Sequence, residues 1–287
     1  MSTDVPPLFV RMIDDAAVFP PGNAPFADAM RGHRLHRAAP YRALVGPLLL
    51  PAADLAEAKR HAPAVSADGD VVEIGLVGPL AAVARALGKA EPFTVRQIEV
   101  PVAKRGEDPM PGLNALLRLA DAEARRVDVY AEIPLTMGLL SALDGLAEAR
   151  SRGVPVAPKF RTGGLAAELF PTPMELAAVI CACRDRQLSF KLTAGLHHAL
   201  RHNDPETGFT HHGFLNVLAG ALAAAEGAEV VRVAELLGGT DPVPLIELVR
   251  GRLQRARPLW LGFGSCSIDE PLIDLRRYGL LPDGMAA

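Results

Sequence analysis

The chain has no run of about 18–20 apolar residues, the length a membrane-spanning helix needs. Its opening stretch, MSTDVPPLFVRMIDD, carries acids where a signal peptide has a basic flank and an apolar core, so a cytoplasmic location is expected. An excess of one charge sign is also missing: 30 Lys and Arg against 33 Asp and Glu give a formal net charge of −3. The basic residues are dispersed, which argues against a nucleic-acid surface or a polybasic membrane anchor and makes small molecules the expected partners. A homo-oligomer is compatible with this composition.

Cysteine is scarce. Cys181, Cys183 and Cys266 are an odd number, and Cys-Ala-Cys in a helical pattern is neither a zinc knuckle nor a disulfide framework. Cys181 and Cys183 are expected to pack as small hydrophobes. Cys266 falls in a strand-end turn, where a nucleophilic role would need an adjacent base that the sequence does not display, so turn packing is expected. No low-complexity linker divides the chain.

What is present is a repeat of βα units. Short apolar runs rich in β-branched residues recur at roughly 30-residue spacing, each followed by a helical pattern. The candidate strands are 8–13, 43–50, 71–77, 95–101, 127–133, 154–160, 188–193 and 259–265, and 229–234 reads equally as strand or helix. Thr172-Pro173-Met174-Glu175 offers a capping box with proline at the first helical position, ahead of Leu176, Val179, Ile180 and Cys183. Ser267-Ile268-Asp269-Glu270 repeats the box, Asp241-Pro242 opens another helix, and Gly88, Gly153 and Gly279 look like stops. At 287 residues the chain exceeds the usual domain size, but α/β barrels run longer as one unit. The expected fold is therefore α/β: a single (β/α)8 TIM barrel over residues 1–287, with an open doubly wound sheet as the competitor.

In a barrel the chemistry sits at the strand C-terminal ends. There the sequence sets Glu73, Gln97 and Glu99, Tyr130 and Glu132, Lys159 and Arg161, Lys191 and Thr193. Residues two apart on a strand share a face, so KFRTGG at 159–164 aims two cations to one side and then supplies glycines. One explanation is a structural ion-pair network, since buried charges must pair. Another is sharper: a lysine beside a second cation in a dry pocket becomes partly neutral, and a free amine forms a Schiff base with a carbonyl. Glu99 and Glu132 are of the type that moves protons in such chemistry. Arg161 suits a carboxylate or phosphate held bidentately, or a salt bridge to Glu132 or Glu99.

The pair KFRTG at 159–163 and KLTAG at 191–195 resembles the class I aldolase barrel of the deoxyribose-phosphate aldolase type. In that family one strand ends Lys-x-x-Thr-Gly and the next strand supplies a second lysine. The resemblance implies that Lys159 forms the Schiff base and that Lys191 lowers its pKa. MIDDAAVFPPGNAPFADA at 12–29 is similar to the family's opening strand and loop, which puts Asp14 at its acidic position. QIEVPV at 97–102 resembles the strand carrying the proton-relay aspartate, with Glu99 here one methylene longer. FGSCS at 263–267 is similar to the last-strand turn, which brings in Ser265 and Ser267. After KLTAG stands Leu-His-His instead of a second glycine, and the chain then carries a histidine-rich surplus at about 196–245.

Five of the eight histidines lie in that surplus: His197, His198, His202, His211 and His212. They read as a loop over the pocket with His197 and His198 on the substrate, as metal ligands, or as ordinary packing. Residues 211–226 look helical, with Thr210 as cap and Phe214, Leu215 and Leu218 facing the core. The expected protein is a cofactor-free, lysine-dependent lyase or aldolase acting on a small anionic carbonyl compound. Lys159, Lys191 and Glu99 would be catalytic. Arg161, Thr162, Gly163, Gly164, Asp14, Glu132, His197, His198, Ser265 and Ser267 would contact substrate. The alternatives are a metal-dependent hydrolase or lyase using the 197–212 histidines, and a non-catalytic metabolite-binding barrel.

Overall fold

A computed structural model describes residues 5–65, 71–122, 126–205 and 207–282. The first four residues of the N-terminal stretch and Glu206 of the histidine-rich segment lie outside them. The barrel strands are β1 (Ile13–Asp15), β2 (Val45–Pro51), β3 (Glu73–Val77), β4 (Thr94–Pro101), β5 (Asp128–Glu132), β6 (Val156–Arg161), β7 (Phe190–Thr193) and β10 (Trp260–Ser265). They close in the order β1-β10-β7-β6-β5-β4-β3-β2, every pair parallel. The helices are α1 (Phe26–Ala38), α2 (Leu55–Val65), α3 (Leu80–Leu87), α4 (Met110–Ala122), α5 (Leu139–Ser151), α6 (Pro173–Asp185), α7 (Phe214–Ala225), α8 (Val230–Gly238), α9 (Pro242–Arg250) and α10 (Asp269–Arg277). This is the single-domain (β/α)8 architecture that the repeat predicts. Among the described residues no helix is long and apolar enough to cross a membrane.

Helices cover the outside of the sheet, so strands such as β2 are apolar on both faces, and Val45 to Leu50 are all buried. The capping box forms: Thr172 Oγ1 accepts from Glu175 N at 3.2 Å and Glu175 Oε2 accepts from Thr172 N at 2.7 Å. Asp241 caps α9 by accepting from Val243 N at 3.0 Å. The second expected box is half made. Glu270 N donates to Ser267 Oγ at 3.2 Å, but the Glu270 carboxylate turns away to His197.

Two expectations change and one open alternative is resolved. The first strand is 13–15, not 8–13, because Pro7–Phe9 form a 3₁₀ turn after Pro6 and Arg11 takes φ 50°. Prolines donate no ladder hydrogen bond, so pairing begins only beyond them, and Asp14 thereby falls inside a barrel strand. The ambiguous 229–234 run belongs to α8, which leaves Lys159 on the sixth barrel strand and Lys191 on the seventh. Thr210 does not cap α7. It lies in β9 (Thr210–His211), paired antiparallel with β8 (His202–Asn203), and Gly213 holds the cap position. A side chain at Gly213 would run into the Ala199 carbonyl oxygen, so the chain turns into the helix there.

The surplus between β7 and β10 is thus a two-stranded ribbon followed by α7, α8 and α9. Helix α7 is buried from Phe214 to Ala224, and a helix apolar all round must be covered. The amphipathic α8 and α9 pack on it and supply the solvent face.

Candidate active site

Five strands send polar side chains into one buried layer of the barrel. Lys159 and Lys191 are direct register partners on β6 and β7, and Glu132 on β5 is the partner of Lys159. Glu99 from β4 reaches both amines: Oε2 lies 2.6 Å from Lys159 Nζ and Oε1 lies 2.6 Å from Lys191 Nζ. Lys159 also pairs with Glu132 Oε2 at 2.8 Å, and Lys191 with Asp14 Oδ2. Gln97 Nε2 donates to Asp14 Oδ2 at 2.6 Å and to Glu99 Oε1 at 2.9 Å, and the Tyr130 ring lies 4.6 Å from Lys191 Nζ. Lys159 and Lys191 are only 2% and 3% exposed, so each charge survives through its partners rather than through water.

Room for this layer comes from glycines on the neighbouring strands β2 and β3. A Cβ on Gly46 would run into Asp14 Oδ1, and one on Gly75 would stand 2.8 Å from Gln97 Cγ. The polar side chains of β1 and β4 therefore fill space that the missing Cβ atoms of β2 and β3 leave open.

The electrostatics correct one expectation. Burial by itself would drive each amine towards neutral, but Glu132 and Glu99 beside Lys159 outweigh it, as do Asp14 and Glu99 beside Lys191. Both lysine pKa values are raised, whereas two adjacent cations alone would lower them. Against the same burial, Lys159 and Lys191 hold Glu99 down to about 2, and Lys159 with Arg161 holds Glu132 below the carboxylate range. Asp14 goes the other way: burial raises it more than Lys191 lowers it. Among these acids Asp14 is the one that most readily takes a proton.

Arg161 stands above the layer, with its side chain 43% exposed and Nη2 3.1 Å from Glu132 Oε1. The two Glu132 oxygens thus face different cations, one buried and one at the surface. Arg161 and Glu132 also line a cleft of about 240 Å³ with Arg105, Leu135, Leu169 and Phe170. Arg105 escapes the sequence reading because it lies in the loop after β4, outside any strand-end pattern.

Other expected contacts are already engaged. Thr162 Oγ1 donates to the Ala194 carbonyl at 2.6 Å, and Gly163 packs so closely on Gly195 that a Cβ would stand 3.0 Å from its Cα. Thr162 and Gly163 thereby lace the β6 end to the β7 turn, and a Cβ on Gly164 would strike Leu169. Ser265 Oγ donates to the Ser267 carbonyl at 2.7 Å and closes the last-strand turn on itself. Glu73 pairs with Arg11 and Arg96 at the opposite end of β3, away from the lysines. His197 lies 2.7 Å from Glu270 Oε2 and His198 lies 3.5 Å from Asp274 Oδ2, both at α10. His202 meets the Leu200 carbonyl, His211 the Gly195 carbonyl and His212 the Pro171 carbonyl. Among the described residues no three His, Cys, Asp or Glu are grouped to hold a metal ion, so the histidine-based metal alternative has no geometry behind it.

In comparisons with known proteins, no family model and no curated protein matches the chain.

Proposed function

We propose that this barrel is an enzyme that uses Lys159 as an imine-forming amine on a small anionic carbonyl compound, in a lyase or aldolase reaction. The observation that carries this reading is Glu99, whose two oxygens bridge the two buried lysines at 2.6 Å each. It creates a continuous chain, Lys159 to Glu99 to Lys191 to Asp14, along which a proton can leave the attacking amine. A protonated lysine is not a nucleophile, so such an exit is required. Asp14, raised by burial, is the terminus that accepts the proton, and Gln97 fixes Asp14 and Glu99 relative to each other. The same chain run backwards returns a proton to the enamine carbon after bond cleavage. Arg161, half exposed beside the cleft, would hold the anionic end of the substrate, with Arg105 on the same wall.

A second reading has its own observation: each lysine already meets two carboxylates, as in a purely structural ion-pair layer. Borohydride trapping separates the two. Protein is incubated with a panel of small aldehydes and keto acids, reduced, and read by intact mass and peptide mapping. An adduct on Lys159 that is missing in folded Lys159→Met supports the enzyme. Folded protein without a lysine adduct across the panel supports the structural layer.

A further inference from the structure

Cys266 stands beside a titratable ring. It lies in the turn between β10 and α10, on the rim where the barrel strands end, and it is part-exposed. The turn is rigid: Ser265 Oγ donates to the Ser267 carbonyl, and Ser267 N donates back to Ser265 Oγ at 3.3 Å. Across from it the β7–β8 loop places His197, with both ring nitrogens 4.0 Å from Cys266 Sγ. The Nδ1 of the same ring lies 2.7 Å from Glu270 Oε2 in the first turn of α10. A nucleophile, a base in reach of it and a carboxylate orienting that base is the arrangement that activates a thiol. The start of α10 adds the positive end of a helix dipole, which favours an anion.

The other cysteines lack this setting. Cys181 and Cys183 are buried on α6, and burial pushes both thiols up. His197 by contrast is pushed up to about 9, first by its contact with Cys266 and further by Glu270, against its own burial. From the ribbon, His211 also lies within electrostatic reach of the His197 ring.

We propose that Cys266, His197 and Glu270 form a second reactive site on the catalytic face, a thiolate–imidazolium pair that takes soft carbon electrophiles. In the step, the Cys266 sulfur bonds to carbon and the leaving group departs with its bonding pair. The proton that the thiol has given up already rests on His197, whose charge Glu270 balances. This site does not depend on the imine reading, because it uses none of the groups around Lys159.

Iodoacetamide on the native protein at near-neutral pH is the test, read by intact mass and peptide mapping. One adduct is expected, on Cys266, with Cys181 and Cys183 labelled only after denaturation. Labelling should slow about tenfold in His197→Gln and by a smaller factor in Glu270→Gln. The thiolate absorbance in the ultraviolet should be lost in Cys266→Ser and reduced in His197→Gln. Equal labelling rates in wild type and folded His197→Gln, or an unchanged thiolate absorbance, would overturn the proposal. If His197→Gln does not fold, Glu270→Gln gives the same comparison. Trapping on Lys159 in Cys266→Ser reports on the other site independently.

Discussion

Lys159 illustrates how one buried charge is held in common by several residues. Replacing it with methionine leaves Glu99 with Lys191 and Glu132 with Arg161, so neither carboxylate is fully orphaned. Lys159→Met should therefore sit at the low end of the cost of breaking a buried pair, about 3 kcal/mol by urea unfolding. Glu99 offers a sharper sign. Its pKa is about 2 in the fold and 4.5 as its reference value, so its stabilisation is complete above about pH 4.5 and is lost as pH falls towards 2. Acid unfolding of the wild type should steepen over that window, and Glu99→Gln should remove that contribution. The residue types and their strand-end positions were legible from alternation in KFRTGG and KLTAG. Their pairing was not, because which carboxylate meets which amine depends on strands 27 to 177 residues apart in sequence.

At the scale of elements, the histidine-rich surplus has its own titrating anchor. His212 is fully buried where the ribbon enters α7, and its Nε2 donates to the Pro171 carbonyl at 2.7 Å. Burial first, and Arg201 beside it, lower its pKa to about 4. A depressed histidine stabilises the fold above its reference value of 6.5, and that stability is lost as pH falls through 4. The loss near pH 4 should be on the order of 3 kcal/mol, and His212→Gln should flatten the urea-unfolding stability between these limits. Sequence periodicity located α7 and its core residues Phe214, Leu215 and Leu218. It missed that α7 is buried on every side, since only α8 and α9 folding back over it make that tolerable.

Across the whole molecule, barrel closure rests on a short seam. Strand β1 has three residues, each paired once with β10. Arg257 reinforces it from the opposite end, donating to the carbonyls of Leu8 at 2.6 Å, Val10 at 3.2 Å, Trp260 at 2.7 Å and Leu261 at 2.8 Å. It binds the N-terminal segment to the last strand without a carboxylate, as a guanidinium with its fan of donors can. Arg257→Ala should cost about 3 kcal/mol and selectively speed amide exchange in β1 and β10, measured against the opposite strands β4 and β5.

The sequence by itself determined the architecture, because the alternation of buried strand runs and capped helices is a local pattern repeated around the chain. It also determined which residue types stand at the strand ends, since side-chain alternation follows from the backbone. Only the tertiary structure decided the charge state of that layer. Two cations on adjacent strands read as mutual destabilisers until Asp14, Glu99 and Glu132 arrive from three other strands and reverse the sign. The same holds for Cys266, whose base and orienting acid come from a loop 69 residues away and from the next helix. Long-range contacts of this kind leave no periodic trace in a chain, because their spacing is set by closure of the barrel and not by the geometry of any one element.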